Sequence, residues 1–313
     1  MLAFIARRVL ATIPVLFVVA TIVFLLLRLT PGDPAAVIAG DSANPEQIAQ
    51  IRASLGLEKP LIQQFGIWLS NIARGDFGES FFFKKRVTEL IAQRLEPTLA
   101  LATCTILLSV LIAVPLGVLA AWRHGSWVDR ALMGFSTIGF SVPVFVLGYL
   151  LIYLFSLELG WLPVQGYRRL SEGFVPFIRH LILPSVALSA IYIALIARVT
   201  RAAVAETLTE DYVRTARAKG LPERQVLIRH ALANAAIPIV TVIGIGIALL
   251  IGGVVVTESV FSIPGLGRLT VDAVLARDFP TIQAVIMLFS VAYVVINLLV
   301  DLSYLVLDPR IRY

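Results

Sequence analysis

Glu210-Asp211-Tyr212-Val213-Arg214-Thr215-Ala216-Arg217-Ala218-Lys219-Gly220 is a charged stretch set between two of the most apolar runs in the chain, Leu181 to Ala197 and Ile237 to Thr257. Its neighbours decide the fold. The 313 residues are 58% hydrophobic and only 15% charged, with a mean hydropathy of +0.90, whereas soluble domains hold roughly 25% charged residues. A segment of about 18 apolar residues, rising about 1.5 Å each, crosses a hydrocarbon core of about 30 Å. Six runs meet or approach that length: Val9 to Leu27, Thr98 to Ala121, Ala131 to Leu157, Leu181 to Ala197, Ile237 to Thr257 and Thr281 to Leu302. None alternates as a barrel strand would, so helices must satisfy the backbone in lipid. The sequence predicts an all-α integral membrane protein with six spans.

Lysine and arginine orient the spans, because positive residues in short loops stay on the cytoplasmic side. Arg7 and Arg8, Arg123 and Arg130, the loop carrying Arg198, Arg201, Arg214, Arg217, Lys219, Arg224 and Arg229, and finally Arg310 and Arg312 all fall on one side of a six-span arrangement. Both termini are therefore expected in the cytoplasm. The opposite short loops carry Arg168, Arg169, Arg179, Arg268 and Arg277, a smaller load, while the long region from Arg28 to Pro97 carries eight basic residues that count only weakly against the assignment, since long loops translocate largely regardless of charge. The net charge of +6 and pI of about 9.7 follow from this asymmetry and from anionic lipid, not from nucleic acid. The first run is not read as a cleaved secretory signal despite Val37-Ile38-Ala39, since it is too long and ends at Arg28, well short of that site.

Residues 1–97 are read as the first span plus an external helical region, and 98–313 as a five-helix core with a coupling loop at about 198–236. Asn44, Pro45 and Gln47 have the spacing of an N-cap, first-turn proline and capping partner, with Gly56 placed to end that helix. Leu61, Phe65, Trp68, Leu69 and Ile72 predict a second short helix, and Val87, Leu90, Ile91 and Leu95 a third. Pro14, Pro115, Pro143 and Pro184 lie inside apolar runs, where proline either bends a helix or is tolerated by its neighbours. Ser141, Tyr192, Thr241 and Asn297 are polar enough to line a path, yet equally suited to helix packing. Among ionisable residues near span ends, Glu258 stands out, because a shift of a few residues would bury it.

The charged stretch itself reads as a helix. No Pro or Gly interrupts Arg201 to Lys219, alanines are frequent, and Gly220 with Pro222 stops the run. A second helix is expected after Pro222, through Val226, Leu227 and Leu232. A loop kept only for its positive charge needs neither the stop nor the apolar pair Tyr212 and Val213.

Asp211-Tyr212-Val213-Arg214-Thr215-Ala216-Arg217-Ala218-Lys219-Gly220, then nine residues, then His230-Ala231-Leu232-Ala233-Asn234, resembles the cytoplasmic EAA loop of ATP-binding cassette importer permeases. The general form is Glu-Ala-Ala, three residues, Gly, nine residues, Ile-x-Leu-Pro. Here Arg214-Thr215-Ala216 takes the place of Glu-Ala-Ala, while His230 and Ala233 replace Ile and Pro, departures that are similar to the dipeptide and oligopeptide branch. That branch has relatives for glutathione, nickel chelates, opines and oligosaccharides. The likeness spans the chain: Thr30-Pro31-Gly32-Asp33-Pro34, Leu55-Gly56-Leu57 with Pro60, Gly75-Asp76-Phe77-Gly78-Glu79-Ser80, Gly252 through Phe261, Pro264-Gly265-Leu266-Gly267 and Arg277-Asp278-Phe279-Pro280.

The resemblance implies the type I permease fold in a prokaryotic inner membrane, and a loop helix that docks on a cytoplasmic ATPase. It places Ala216 and Gly220 at the contact, with Glu210, Asp211, Arg214 and Arg217 around it and Tyr212, Thr215, Ala218, Lys219, His230 and Asn234 completing the loop. It also implies a homologous second permease, two ATPase subunits and an external binding protein. No Gly-Lys dipeptide occurs, so there is no phosphate-binding loop of the GxxxxGK[ST] kind. The chain is expected to have no catalytic site or cofactor of its own, with ATP and magnesium held by the partner subunits. His124, His180 and His230 are scattered and Cys104 is single, so no metal site is expected. An intramembrane protease would need a nucleophile and base together at membrane depth, and no histidine lies mid-span. A secondary transporter or channel is the remaining alternative, with Glu258 as its coupling residue.

Overall fold

A computed structural model of the protein describes residues 2–29, 33, 35–36, 44–54 and 56–307. The sequence features at Thr30 to Gly32, Pro34, Val37 to Ala39, Leu55, Arg310 and Arg312 lie outside the described residues. Among the described residues the structure is helical, with an isolated antiparallel bridge between Glu79 and Arg86 and no strand. Five helices are long and apolar enough to cross a membrane: α1 (Leu2–Leu29), α4 (Val87–Trp122), α7 (Phe174–Thr207), α9 (Ala236–Val260) and α11 (Phe279–Leu307). A further pair, α5 (Trp127–Ser141) and α6 (Val144–Leu151, continued by wider π-type turns over Ile152–Glu158), is bent by 99° and brings the number to six where the pair counts as one span. Of the two outcomes open to a proline inside the run Ala131 to Leu157, the structure shows the bend. Val142 precedes Pro143, whose ring drives that residue to an extended ψ of 120°, so α5 must end and α6 starts afresh from the proline. Pro14, Pro115 and Pro184 stay inside their helices.

Packing divides the chain into two compact units. The first comprises Met1–Glu96 with Gly265–Val295, so the segment after α9 packs with the amino-terminal region. Its short helices are α2 (Pro45–Ser54), α3 (Leu61–Ala73) and α10 (Leu266–Leu275). The capping box at α2 forms in both directions: the Gln47 N–H donates to Asn44 Oδ1 at 2.8 Å and the Asn44 N–H to Gln47 Oε1 at 3.0 Å. Gly56 ends the same helix, with the Leu57 N–H reaching back to the Arg52 carbonyl at 3.1 Å. Phe24 of α1 packs edge-on to Phe65 of α3, 5.1 Å between ring centres, and against Trp68 at 5.6 Å. Ala20, Val23 and Met287 form the core between α1 and α11, where Gln283 Nε2 donates to the Val23 carbonyl at 2.9 Å. Val87 to Leu95 is not a separate short helix as expected, because nothing stops it: α4 runs 36 residues straight through Pro97.

The second unit, Pro97–Pro264 with Ile296–Tyr313, is built around α7. Leu188, Tyr192 and Ile196 on α7 meet Val254 on α9, Leu101 on α4, and Phe261 and Ile263 beyond α9. Small residues let these helices approach, as is usual in lipid where apolar burial gives no net drive. A Cβ on Gly117 would lie 2.6 Å from Thr200 Cβ, so α4 and α7 touch backbone to side chain there. Glu258 is fully buried near the end of α9, and Thr98 Oγ1 on α4 donates to its Oε1 at 2.6 Å. That contact ties the ends of two spans.

Candidate functional site

Helix α8 (Asp211–Ala218) carries the charged stretch, and its construction is rigid. Glu210 is the N-cap residue in extended conformation, its carbonyl accepting from the Val213 N–H at 3.0 Å. At the other end Gly220 adopts φ +79°, its N–H donates to the Arg217 carbonyl at 2.9 Å and the Leu221 N–H to the Ala216 carbonyl at 3.3 Å. This is the Schellman stop, completed by the apolar contact it usually brings. Leu221 and Leu208 pack on a small core of Val213, Ala216 and Val226.

The helix therefore has an inner and an outer face. Val213 and Ala216, three residues apart, are buried, while Asp211, Tyr212, Arg214, Thr215, Arg217, Ala218 and Lys219 are exposed, as are Glu210 and Gly220. Ala216, which the resemblance puts at the contact, is 6% exposed and packs in the loop's own core. The helical period places Ala216 beside Val213, and Val226 supplies the apolar surface that both need.

Across the turn, Arg217 Nε donates to Glu223 Oε1 at 2.8 Å and Nη2 to Oε2 at 3.4 Å, clamping α8 to the segment that follows. That segment starts as one helical turn, Glu223–Gln225, and widens to π geometry over Val226–Leu232, so the expected second helix is present but underwound. Asn234 Nδ2 donates to the His230 carbonyl at 2.6 Å, and its side chain lies near the Tyr212 hydroxyl. Partial burial, helped by the Glu210 charge, pushes the Tyr212 phenol up from its usual range, and the Asn234 side chain opposes that shift.

One ion pair below this loop was not read from the sequence. Arg201, on the last turns of α7, donates from Nε to Asp129 Oδ1 at 2.8 Å and from Nη2 to Oδ2 at 2.7 Å. Asp129, on the first turn of α5, also accepts the Gly125 N–H at 3.0 Å, while Ser126 caps the helix. The Ser126-x-x-Asp129 spacing was a legible capping signal, but nothing in the sequence named Arg201 as its partner 72 residues away.

Comparison with known proteins places these features in context. The family of binding-protein-dependent transport system inner membrane components matches residues 113–313, and the N-terminal family of the same membrane components matches residues 1–102. A probable peptide ABC transporter permease protein of Sinorhizobium fredii (strain NBRC 101917 / NGR234) is 57% identical over 310 residues, covering 99% of each chain. A glutathione transport system permease protein of Escherichia coli (strain K12) is 45% identical over 313 residues, covering 100% of each. Among solved structures, an inward-facing methionine ABC transporter chain superposes with a TM-score of 0.59 at 20% identity, covering 70% of this chain and 96% of that one. An amino acid ABC transporter structure gives a TM-score of 0.53 at 18% identity, covering 69% and 92%. These structural likenesses establish the fold.

Proposed function

From the premise that the chain belongs to the binding-protein-dependent transport system inner membrane components, as a permease subunit of an ABC importer, we propose that it carries peptides and that α8 is the lever by which ATPase subunits drive it. Family membership brings ATPase and substrate-binding partners in general terms. The particular assembly proposed is a heterodimer with a homologous permease, two cytoplasmic ATPase subunits holding ATP and magnesium, and an external binding protein. Both termini and α8 then lie in the cytoplasm. The peptide assignment is supported by relatives named for peptide and glutathione transport, whose substrates share a peptide backbone.

The observation that carries the lever reading is the two-faced build of α8. A helix of eight residues is too short to persist alone in water, yet it is stopped, clamped and seated on Val226 and Leu221, with its charged face turned outward. Such a piece transmits a push as a rigid body, and the Arg201–Asp129 fork at the foot of α7 receives it. Closure of the ATPase pair on ATP would shift α8, reorient the spans and expose the path to the other side, with selectivity left to the binding protein. The test is recovery of the tagged chain from native membranes in mild detergent. Wild type should bring down a second permease and ATPase subunits, and Arg214→Glu on the outer face should lose the ATPase while keeping the permease. A chain isolated alone that still transports in vesicles would overturn the reading and return to a secondary transporter.

A further inference from the structure

A cavity of about 510 Å3 opens in the first unit, lined by Leu27 and Arg28 from the last turn of α1, Trp68 of α3, Asp76 and Glu79 of the following loop, and Gln283 from the start of α11. Its level is fixed by the spans. Gln283 donates to the Val23 carbonyl, so the end of α1 and the start of α11 lie side by side where two membrane-crossing helices meet the boundary.

Arg28 is the unusual member. Its Nε and Nη2 donate to Gln64 Oε1 at 3.1 and 2.7 Å, Nη1 donates to the Phe24 carbonyl at 3.0 Å, and its Cζ sits 3.5 Å over the Phe24 ring. Gln64 is itself committed, its Nε2 donating to the Leu57 and Lys59 carbonyls. These neutral partners orient the guanidinium without cancelling its charge. Among the described residues no carboxylate lies within ion-pair distance of Arg28, although it is half-buried. A charge removed from water without a counter-ion is costly, and a guanidinium with hydrogens to spare favours a phosphate or carboxylate. Lys59 adds a second cation to the same wall, while Asp76 and Glu79 supply negative charge. Asp76 Oδ1 accepts the Gly78 N–H at 3.0 Å, which holds it in place.

An anion site and an ammonium site in one cavity at a membrane boundary suit a zwitterion tethered to lipid. We propose that this cavity holds the head group of a phospholipid bearing a primary amine, with its phosphate at Arg28 and Lys59 and its ammonium at Asp76 and Glu79. The apolar surroundings favour a lipid over a free solute. Leu27, Ile67, Ile72 and Phe77 line the cavity, and on α3 Leu61, Ile62 and Ile67 are exposed, Ile62 by 86%, a composition that acyl chains cover and water does not. A free peptide carries the same two charges, and the experiment separates the two sources.

The assembled transporter is reconstituted in vesicles of phosphatidylethanolamine with phosphatidylglycerol, or of phosphatidylcholine with phosphatidylglycerol, then re-extracted, and its retained lipid is measured by native mass spectrometry. Wild type should retain phosphatidylethanolamine in preference to phosphatidylcholine. Arg28→Met should lower that retention about tenfold, the loss expected for one charge-assisted fork to phosphate. The exposed pair Asp76→Asn with Glu79→Gln should abolish the preference between the two lipids while leaving the fold intact, and it carries the test should Arg28→Met fail to assemble. Equal retention of both lipids by wild type, or unchanged preference in the double variant, overturns the proposal. So does a calorimetric titration in which dialanine binds wild type and the bound lipid is displaced with it. The readout uses neither ATP hydrolysis nor uptake, so its failure leaves the lever reading untouched.

Discussion

Two arginine–carboxylate forks in the second unit have nearly the same chemistry and opposite surroundings. Arg201 grips Asp129 at 2.8 and 2.7 Å with the Asp129 side chain only 3% exposed, while Arg217 grips Glu223 at 2.8 and 3.4 Å with side chains 39% and 44% exposed. The first joins two long helices at the foot of α7. The second joins the two ends of the turn at the tip of α8. Burial, not bond length, sets what each is worth: removing one partner of a buried pair strands the other, while a partner at the surface returns to water.

The largest effect is expected from Arg201→Met. Breaking a buried pair costs about 3–5 kcal/mol, and Arg201's own 26% exposure puts this case near about 3 kcal/mol. Asp129→Asn should cost less, because the arginine left behind can reach solvent and the carboxylate cannot. Thermal unfolding of the purified complex measures both. The double variant should be less destabilised than the two single losses added together. Strict additivity would mean that the fork holds no coupling energy and that α5 and α7 are joined by packing alone.

Ala216→Trp comes next and tests the tip rather than the foot. Ala216 sits against Val213, Leu221 and Val226, so an indole there would lift α8 off its seat, at about 1–3 kcal/mol locally. Uptake should fall at least tenfold, equivalent to roughly 1.4 kcal/mol, with the chain at normal level in the membrane. Normal uptake would mean that the apolar seat is dispensable to coupling. Gly220→Ala is milder. A Cβ at Gly220 meets nothing within 4 Å, so the cost is only that of holding φ +79° with a side chain, about 1 kcal/mol. Hydrogen exchange at the Leu221 amide, which bonds the Ala216 carbonyl, should rise while global unfolding barely moves.

How far the sequence went follows the same division between local and distant causes. The spans, the α2 capping box, the stop at Gly220 and the charged face of α8 are set by residues within a few positions of one another, and each was readable. The bend at Val142-Pro143 is equally local, but proline inside an apolar run has two outcomes, a break as here or an unbroken helix as at Pro14, Pro115 and Pro184, and the run itself does not say which. The burial of Ala216 was not legible because its cover, Val226, comes from the next segment. Asp129 with Arg201, Thr98 with Glu258, and the placing of Gly265–Val295 with the amino-terminal region all join parts of the chain far apart in sequence, and one sequence carries no record of such pairings.

Glu223→Gln should give the smallest effect, and it sharpens the comparison most. At the exposure of this fork an ion pair contributes below about 1 kcal/mol, much of it screened by salt. The glutamine still accepts one hydrogen bond from Arg217, the Schellman bonds at Gly220 and Leu221 do not involve it, and the seat on Val226 is unaltered. Uptake should therefore stay within about twofold of wild type, a change worth under 1 kcal/mol, and raising the salt should erase even that difference. A loss of uptake as large as that of Ala216→Trp would require the Arg217–Glu223 fork to be desolvated in the working assembly. The only new surface able to do that is a partner laid over the turn. The same substitution thus measures whether a partner covers the turn after α8, and its salt dependence separates that case from a simple loss of the clamp.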